Sequence, residues 1–264
     1  MADLLLDPPE TIEEVDVSQL VTEDDTPVDN LPSEKNQRLL TSPLYASSYL
    51  ERPFVAAANV GIYRAMRVPV IVPDTFLSLG VAVAETFWEK KNRAYLLWEF
   101  GKAPEVVIEI VSNKKGNELT SRLQEYAKLG AWYYAVYDPH NFVQAEKLVV
   151  YELIRGRYVR KQDCVLEDVE LCLVLWNGVF EDTHSEWLRW TDMDGNLILT
   201  GQEQAIAEQQ RADRADERAT HENRRANEAE IRAAQATREA EIQRERAERL
   251  AAKLQALGID PNSI

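Results

Sequence analysis

The amino-acid sequence predicts an α/β protein: a mixed β-sheet flanked by helices, followed by one long C-terminal helix. Two observations carry this. A dense β-branched run, EVVIEIVS (105–112), leads through the turn NKKGN into a helical pattern, ELTSRLQEYAKLG (118–130), and then into a second apolar strand, WYYAVYDP (132–139). Strand, turn, helix and strand in that order make a βαβ unit, so part of the sheet must be parallel. From about Gln202 to Leu257, Gly and Pro vanish and Ala recurs every seven residues.

The elements follow in order. Residues 1–30 hold ten of the 45 acidic residues and no Lys or Arg. Such a charge block, with its prolines and weak periodicity, reads as an acidic flexible arm. SEKNQRLLTSPLYASSY reads as a helix with Ser33 as its N-cap. FVAAANVGIYRA (54–65) reads as one strand and VPVIVPDTFLSLGVAV (68–83) as a second, interrupted at Val72-Pro73-Asp74 because Pro cannot donate to a ladder. Residues 85–103 mix aromatics with charges and fit either a helix or a hairpin-like excursion. Helix 118–130 puts Leu119, Leu123, Tyr126 and Ala127 on one face and stops at Gly130. KLVVYELIRGRYVRK (147–161) is a hairpin around Arg155-Gly156, and ELCLVLWNGVFED (170–182) adds a strand or a pair. The core thus spans 31–198 and the C-terminal helical region 199–264.

In that tail one heptad row reads Ala205, Ala212, Ala219, Ala226, Ala233, Ala240, Ala247 and Leu254. The row three residues on holds Glu208, Ala215, Glu222, Ala229, Ala236, Gln243, Leu250 and Leu257. Two readings fit: a coiled coil with a poor seam at its start and a good one at its end, or a solvated single helix supported by Arg–Glu pairs.

Composition removes several classes of function. No apolar run reaches the 18–20 residues or so of a membrane span. The start, MADLLLDPPETIEEVD, lacks a basic region followed by an apolar one, so no signal peptide is expected. Cys164 and Cys172 fit free thiols in a reducing cytoplasm, and the chain is expected to be cytoplasmic. His140, His184 and His221 are too scattered for a zinc set, and no phosphate loop, Rossmann glycine pattern or Ser nucleophile elbow is present. The net charge of −15 opposes nonspecific DNA binding, although the first 30 residues account for ten of the negative charges.

Two carboxylates carry the chemistry. Asp74 follows the proline that breaks a strand. Glu109 sits inside Val106-Val107-Ile108-Glu109-Ile110-Val111, where a charge costs several kcal/mol (about 2–7 even for a neutral polar group) unless paired or metal-bound. If the two strands are neighbours, Asp74 and Glu109 meet at one site and form a hard oxygen pair suited to Mg²⁺. Such an ion orients a water and stabilises charge on a scissile phosphate. The plain alternatives are a turn at Pro73-Asp74 and an outward polar residue on an edge strand at Glu109.

The ordered strings VPD, PEVVIEIVS and GNELTSRLQEYAKLGAWYYAVYDP resemble the Uma-two family of restriction-endonuclease-like proteins, which is common in cyanobacteria and belongs to the PD-(D/E)XK nuclease superfamily. The likeness covers roughly residues 28–190, and the ending AERLAAKLQALGIDPNSI resembles members with a C-terminal coiled-coil extension. The resemblance implies a restriction-endonuclease-like core, a Mg²⁺-binding aspartate at Asp74 and a catalytic acid at Glu109. The pattern's lysine, two residues after the acid, is Val111 here. Family members commonly carry that lysine on the following helix, where this chain has Arg122. Arg keeps the charge but does not release its proton, so Arg122 is a departure that bears on cleavage more than on fold. Its plain alternative is a surface pair with Glu118 or Glu125. Lys114 and Lys115 in the adjoining turn are candidate substitutes, their plain alternative being solvated turn lysines. Glu34, at the start of the first helix, matches an acidic position of some superfamily members and equally suits a helix N-terminus. Gln124 and Tyr126 share the helix with Arg122, and Tyr126 reads as core.

Three functions follow as expectations. One is a Mg²⁺-dependent endonuclease hydrolysing DNA phosphodiester bonds, with Asp74, Glu109 and Arg122 catalytic and Asp74 and Glu109 on the metal. The second is a catalytically impaired nuclease-fold protein acting as a nucleic-acid-binding or oligomeric assembly module, and the third is a purely structural scaffold whose coiled coil carries the function. A homodimer is expected, since cutting both strands takes two sites.

Overall fold

The computed structural model describes residues 30–50, 53–112 and 119–256. The acidic arm up to residue 29, Lys114, Lys115, Glu118 and Leu257 lie outside them. The chain divides into two compact units, 1–202 and 203–264.

In the first unit the order is α1 (Leu31–Ala46), β1 (Phe54–Ala58), β2 (Ile62–Tyr63), β3 (Thr75–Leu79), β4 (Tyr95–Leu96), α2 (Leu97–Phe100), β5 (Val106–Ile110), α3 (Ser121–Leu129), β6 (Tyr133–Tyr137), β7 (Leu148–Ile154), β8 (Arg157–Arg160), β9 (Val165–Leu166), β10 (Leu171–Phe180) and β11 (Thr183–Thr191). The main sheet has the order β1-β3-β5-β6-β7-β8. Only β5 and β6, joined through α3, run parallel; every other pair is antiparallel. This is the mixed sheet flanked by helices read from the sequence.

Two apolar clusters sit on the faces of the main sheet. On one, Val106, Ile108 and Ile110 pack with Leu40 and Leu44 of α1 and with Leu171, Leu188 and Trp190 of the β9–β11 sheet. On the other, Val107, Val111 and Phe76 pack with Tyr126 and Leu129 of α3 and with Tyr95. The central strands are covered on both sides, which is why they read as unbroken apolar runs.

Several boundaries differ from the sequence reading. The α1 N-cap is Asn30, whose Oδ1 accepts the Ser33 N–H at 3.0 Å; Ser33 itself is inside the helix. The expected strand 54–65 breaks after Ala58, where Asn59 takes φ 54°, and Ile62–Tyr63 leaves for a two-stranded parallel sheet with β4. The run 68–83 keeps regular pairing only over Thr75–Leu79. The undecided stretch 85–103 is a short 3₁₀ turn (Lys90–Asn92), β4 and α2. The reading of 170–182 stopped short of β11, which pairs with β10 from Cys172 to Phe180.

The second unit is α4, which begins at Gly201 and runs to Ala256 as one helix of 56 residues with none of them buried. No described helix is long and apolar enough to cross a membrane.

Candidate active site

The site is built where the β3–β5 ladder stops. β3 and β5 pair antiparallel as Thr75↔Ile108, Phe76↔Val107 and Leu77↔Val106. Continued by one pair, that register sets Asp74 opposite Glu109, and opposite residues of a regular antiparallel pair have Cβ atoms about 5 Å apart. The chemistry of Pro73 explains why pairing ends there. Val111 N–H goes to the Tyr137 carbonyl on β6 at 2.8 Å. Strand alternation therefore sends the odd-numbered N–H groups of β5 to β6 and the even ones to β3. Ile110 N–H would next meet residue 73, where proline cannot return the bond. Instead Ile110 N–H donates to Asp74 Oδ2 at 2.5 Å. The side chain of Asp74 replaces the next rung of the ladder, and its carboxylate lies against the main chain beside Glu109.

Glu109 alternates with Val107 and Val111, so it faces α3. It is 7% exposed. Tyr126, fully buried, donates its hydroxyl to Glu109 Oε1 at 2.5 Å. Burial, reinforced by the Glu109 charge, pushes the Tyr126 phenol well above its ordinary pKa, so it remains a donor. Arg122, one turn earlier on α3, has Nε 3.8 Å from Glu109 Oε1 and Nη1 3.8 Å from Glu125 Oε2. Burial works to lower the Arg122 pKa, but Glu109, Tyr126 and Glu125 outweigh it and the value is raised. Arg122 is a fixed cation shared between the inner carboxylate and a surface one.

α1 contributes from the other side. Gln37, buried, donates Nε2 to Asp74 Oδ1 at 3.4 Å and to Asn59 Oδ1 at 3.3 Å, and Asn59 Nδ2 donates back to Gln37 Oε1 at 3.0 Å. The left-handed backbone at Asn59 lets its N–H reach the Asp74 carbonyl at 3.2 Å. Gln37, Asn59 and the hydroxyl of Tyr126 were not picked out by sequence reasoning. An amide pair bridging a helix and a strand end has no periodic signature, and Tyr126 falls on the apolar face of its helix. Glu34 does not join the site: its carboxylate pairs with Arg38 at 2.5 Å, on the same exposed helix face. Gln124 is exposed.

The donor set suits a hard cation. Asp74 and Glu109 offer carboxylate oxygens only, and among the described residues no group of three or more His, Cys, Asp or Glu forms a metal cluster. A hard divalent cation such as Mg²⁺ takes one or two carboxylates and completes its shell with water and substrate phosphate.

Comparison with known proteins places the chain. No curated protein matches it. One similar solved structure is a "putative nuclease belonging to DUF820" from Anabaena variabilis, at 16% identity and a TM-score of 0.36, covering 52% of this chain and 71% of that one. Residues 25–176 match the family Uma2, described as "Putative restriction endonuclease", and the chain belongs to that family.

Proposed function

We propose that this protein is a Mg²⁺-dependent endonuclease that hydrolyses DNA phosphodiester bonds at Asp74 and Glu109. The observation that carries the reading is the end of the β3–β5 ladder at Thr75↔Ile108, where the Asp74 carboxylate takes the N–H of Ile110, the residue after Glu109. Asp74 and Glu109 would hold the ion. When bound, it supplies charge stabilisation at the phosphate and acidifies a water. The chain's own groups do the rest. Ile110 N–H and Gln37 orient Asp74, and Tyr126 fixes one oxygen of Glu109. Arg122 adds positive charge next to Glu109, where a phosphate would enter.

The protein acts as a homodimer in this reading, its core doing most of the associating and the tail forming at most a weak coiled coil. The core of residues 31–198 carries the site, and the free Cys164 and Cys172 suit a cytoplasmic setting. A second reading is favoured by one observation. Arg122 is already engaged with Glu109 and holds its proton, as expected of a nuclease fold retained for binding or assembly.

Nicking of supercoiled plasmid in Mg²⁺ separates the two. The nuclease reading expects cleavage that Asp74→Ala lowers by at least about a hundredfold. DNA binding without nicking in Mg²⁺ or Mn²⁺ would establish the second.

A further inference from the structure

Beside the candidate site lies an aromatic groove that the proposed chemistry does not use. It encloses about 310 Å³ and is walled by Val55, Ala57, Phe76, Tyr95, Phe87 and Trp88. Phe76 stands on β3 two residues from Asp74 and opposite Val107, on the face to which Glu109 also points. Two residues along a strand are about 7 Å. The groove therefore lies on the side of the sheet that Glu109 faces, and its Phe76 wall is two residues along β3 from Asp74.

At its mouth the segment Thr86–Arg93 holds aromatics out rather than folding them in. Trp88 is 74% exposed and Phe87 46%, with ring centroids 4.8 Å apart. The turn beneath them is braced. Glu89 N–H donates to the Thr86 carbonyl at 2.9 Å, Asn92 Nδ2 to the same carbonyl at 2.9 Å and to Thr86 Oγ1 at 3.1 Å, and Arg93 Nε to the Trp88 carbonyl at 2.8 Å. Charge around the groove runs against the −15 of the whole chain. Lys90, Lys91 and Arg93 lie in the same turn. Arg64 and Arg67 follow β2, which pairs with β4 immediately after that turn. Glu89 is the acid in the segment, with Glu85 just before it, and Glu89 pairs with Lys91 at 3.8 Å.

We infer that this groove is a nucleobase platform: an unpaired base of the substrate strand stacks on Trp88 and Phe87 while its phosphates follow the Lys90–Arg93 turn. Resting on the nuclease reading for its substrate, the inference adds that the strand presented is locally single-stranded. An apolar slot of this size takes one base with its sugar. A paired base has both faces covered by its neighbours in the duplex and cannot stack there, whereas any unpaired base can. The cations beside the rings supply the phosphate contacts that stacking alone lacks.

The test measures binding, not cleavage. Full-length protein is titrated into a labelled single-stranded oligonucleotide and a duplex of the same length, in Ca²⁺ and low salt, by fluorescence anisotropy. The variants are Trp88→Ala and Trp88→Phe. The expected result is tighter binding to the single strand, weakened about tenfold by Trp88→Ala and restored by Trp88→Phe. Trp88 is exposed, so its loss leaves the core intact, which circular dichroism verifies. Equal affinity of wild type and Trp88→Ala for single strands overturns the inference even if the plasmid is nicked. So does a Trp88→Ala change in sedimentation with no change in DNA binding, which would assign the groove to a second protein chain. Trp88-dependent binding of single strands by a protein that never nicks upholds the platform and removes only the nuclease reading.

Discussion

Arg122 decides how Glu109 can be used. Its guanidinium is 3.8 Å from both Glu109 and Glu125, and its raised pKa keeps it charged at any working pH. A planar cation at that distance neutralises but does not transfer protons. If Arg122 serves the proposed reaction as a charge, Arg122→Lys preserves that charge on a more mobile stem, and plasmid nicking should stay at or above the wild-type rate. Arg122→Ala should lower it about a hundredfold. A folded Arg122→Lys protein that nicks no plasmid, beside an active wild type, would rule the role out. The sequence made Asp74 and Glu109 visible for physical reasons: a proline marks the first, and a charge inside an apolar run marks the second. It did not reveal that the Asp74 carboxylate completes the ladder, because that depends on which N–H groups of β5 face β3. Nor could it tell that Tyr126 is core by its ring and site by its hydroxyl.

The clasp between α1 and the β10–β11 hairpin positions the helix that carries Gln37. Glu181 lies in the two-residue loop between the strands and receives Lys35 Nζ at 3.0 Å and both terminal nitrogens of Arg38. These hydrogen bonds, Arg38 foremost, pull the Glu181 carboxyl down from 4.5 to about 2. A depressed carboxylate contributes stability above its unfolded value and loses it as pH falls through its folded one. The difference in melting temperature between wild type and Glu181→Gln should therefore be positive at pH 7, shrink below about pH 4.5 and vanish near pH 2. The pair is exposed and screened, so the shift should be small, about 2 °C or less. A difference that stays constant from pH 7 to 2 would show that the ion pairs contribute nothing. The same loop explains an unread element. Arg155 and Gly156, with φ 52° and 78°, form a hairpin turn that the glycine made visible. Glu181 and Asp182 adopt φ 44° and 60° with no glycine between them, so the second hairpin and β11 carried no turn signal.

The two units of the chain differ in what holds them. The core is closed by apolar clusters on both faces of its sheet, whereas α4 has no buried residue. The continuity of α4 was legible because nothing from Gln202 to Ala256 breaks a helix. Whether it pairs was not, because an Ala seam buries too little surface to mark a partner. Its larger apolar residues argue against a strong zipper. Ile206, Ile231 and Ile242 are exposed and fall outside both heptad rows; of the rows themselves, Leu250, at 62% exposed, and Leu254 are the only large apolar members among the described residues. Any helix pairing would concentrate in the last turns, where leucines enter the seam. The proposed dimer should accordingly survive loss of the tail. Removing residues 203–264 takes away only the helical unit. Sedimentation of the remaining 1–202 should give a soluble, folded dimer, with a dissociation constant within about tenfold of the full chain. A clean monomer for 1–202, when the full chain sediments as a dimer, would transfer dimerisation to the helix and place the association energy in its leucine end.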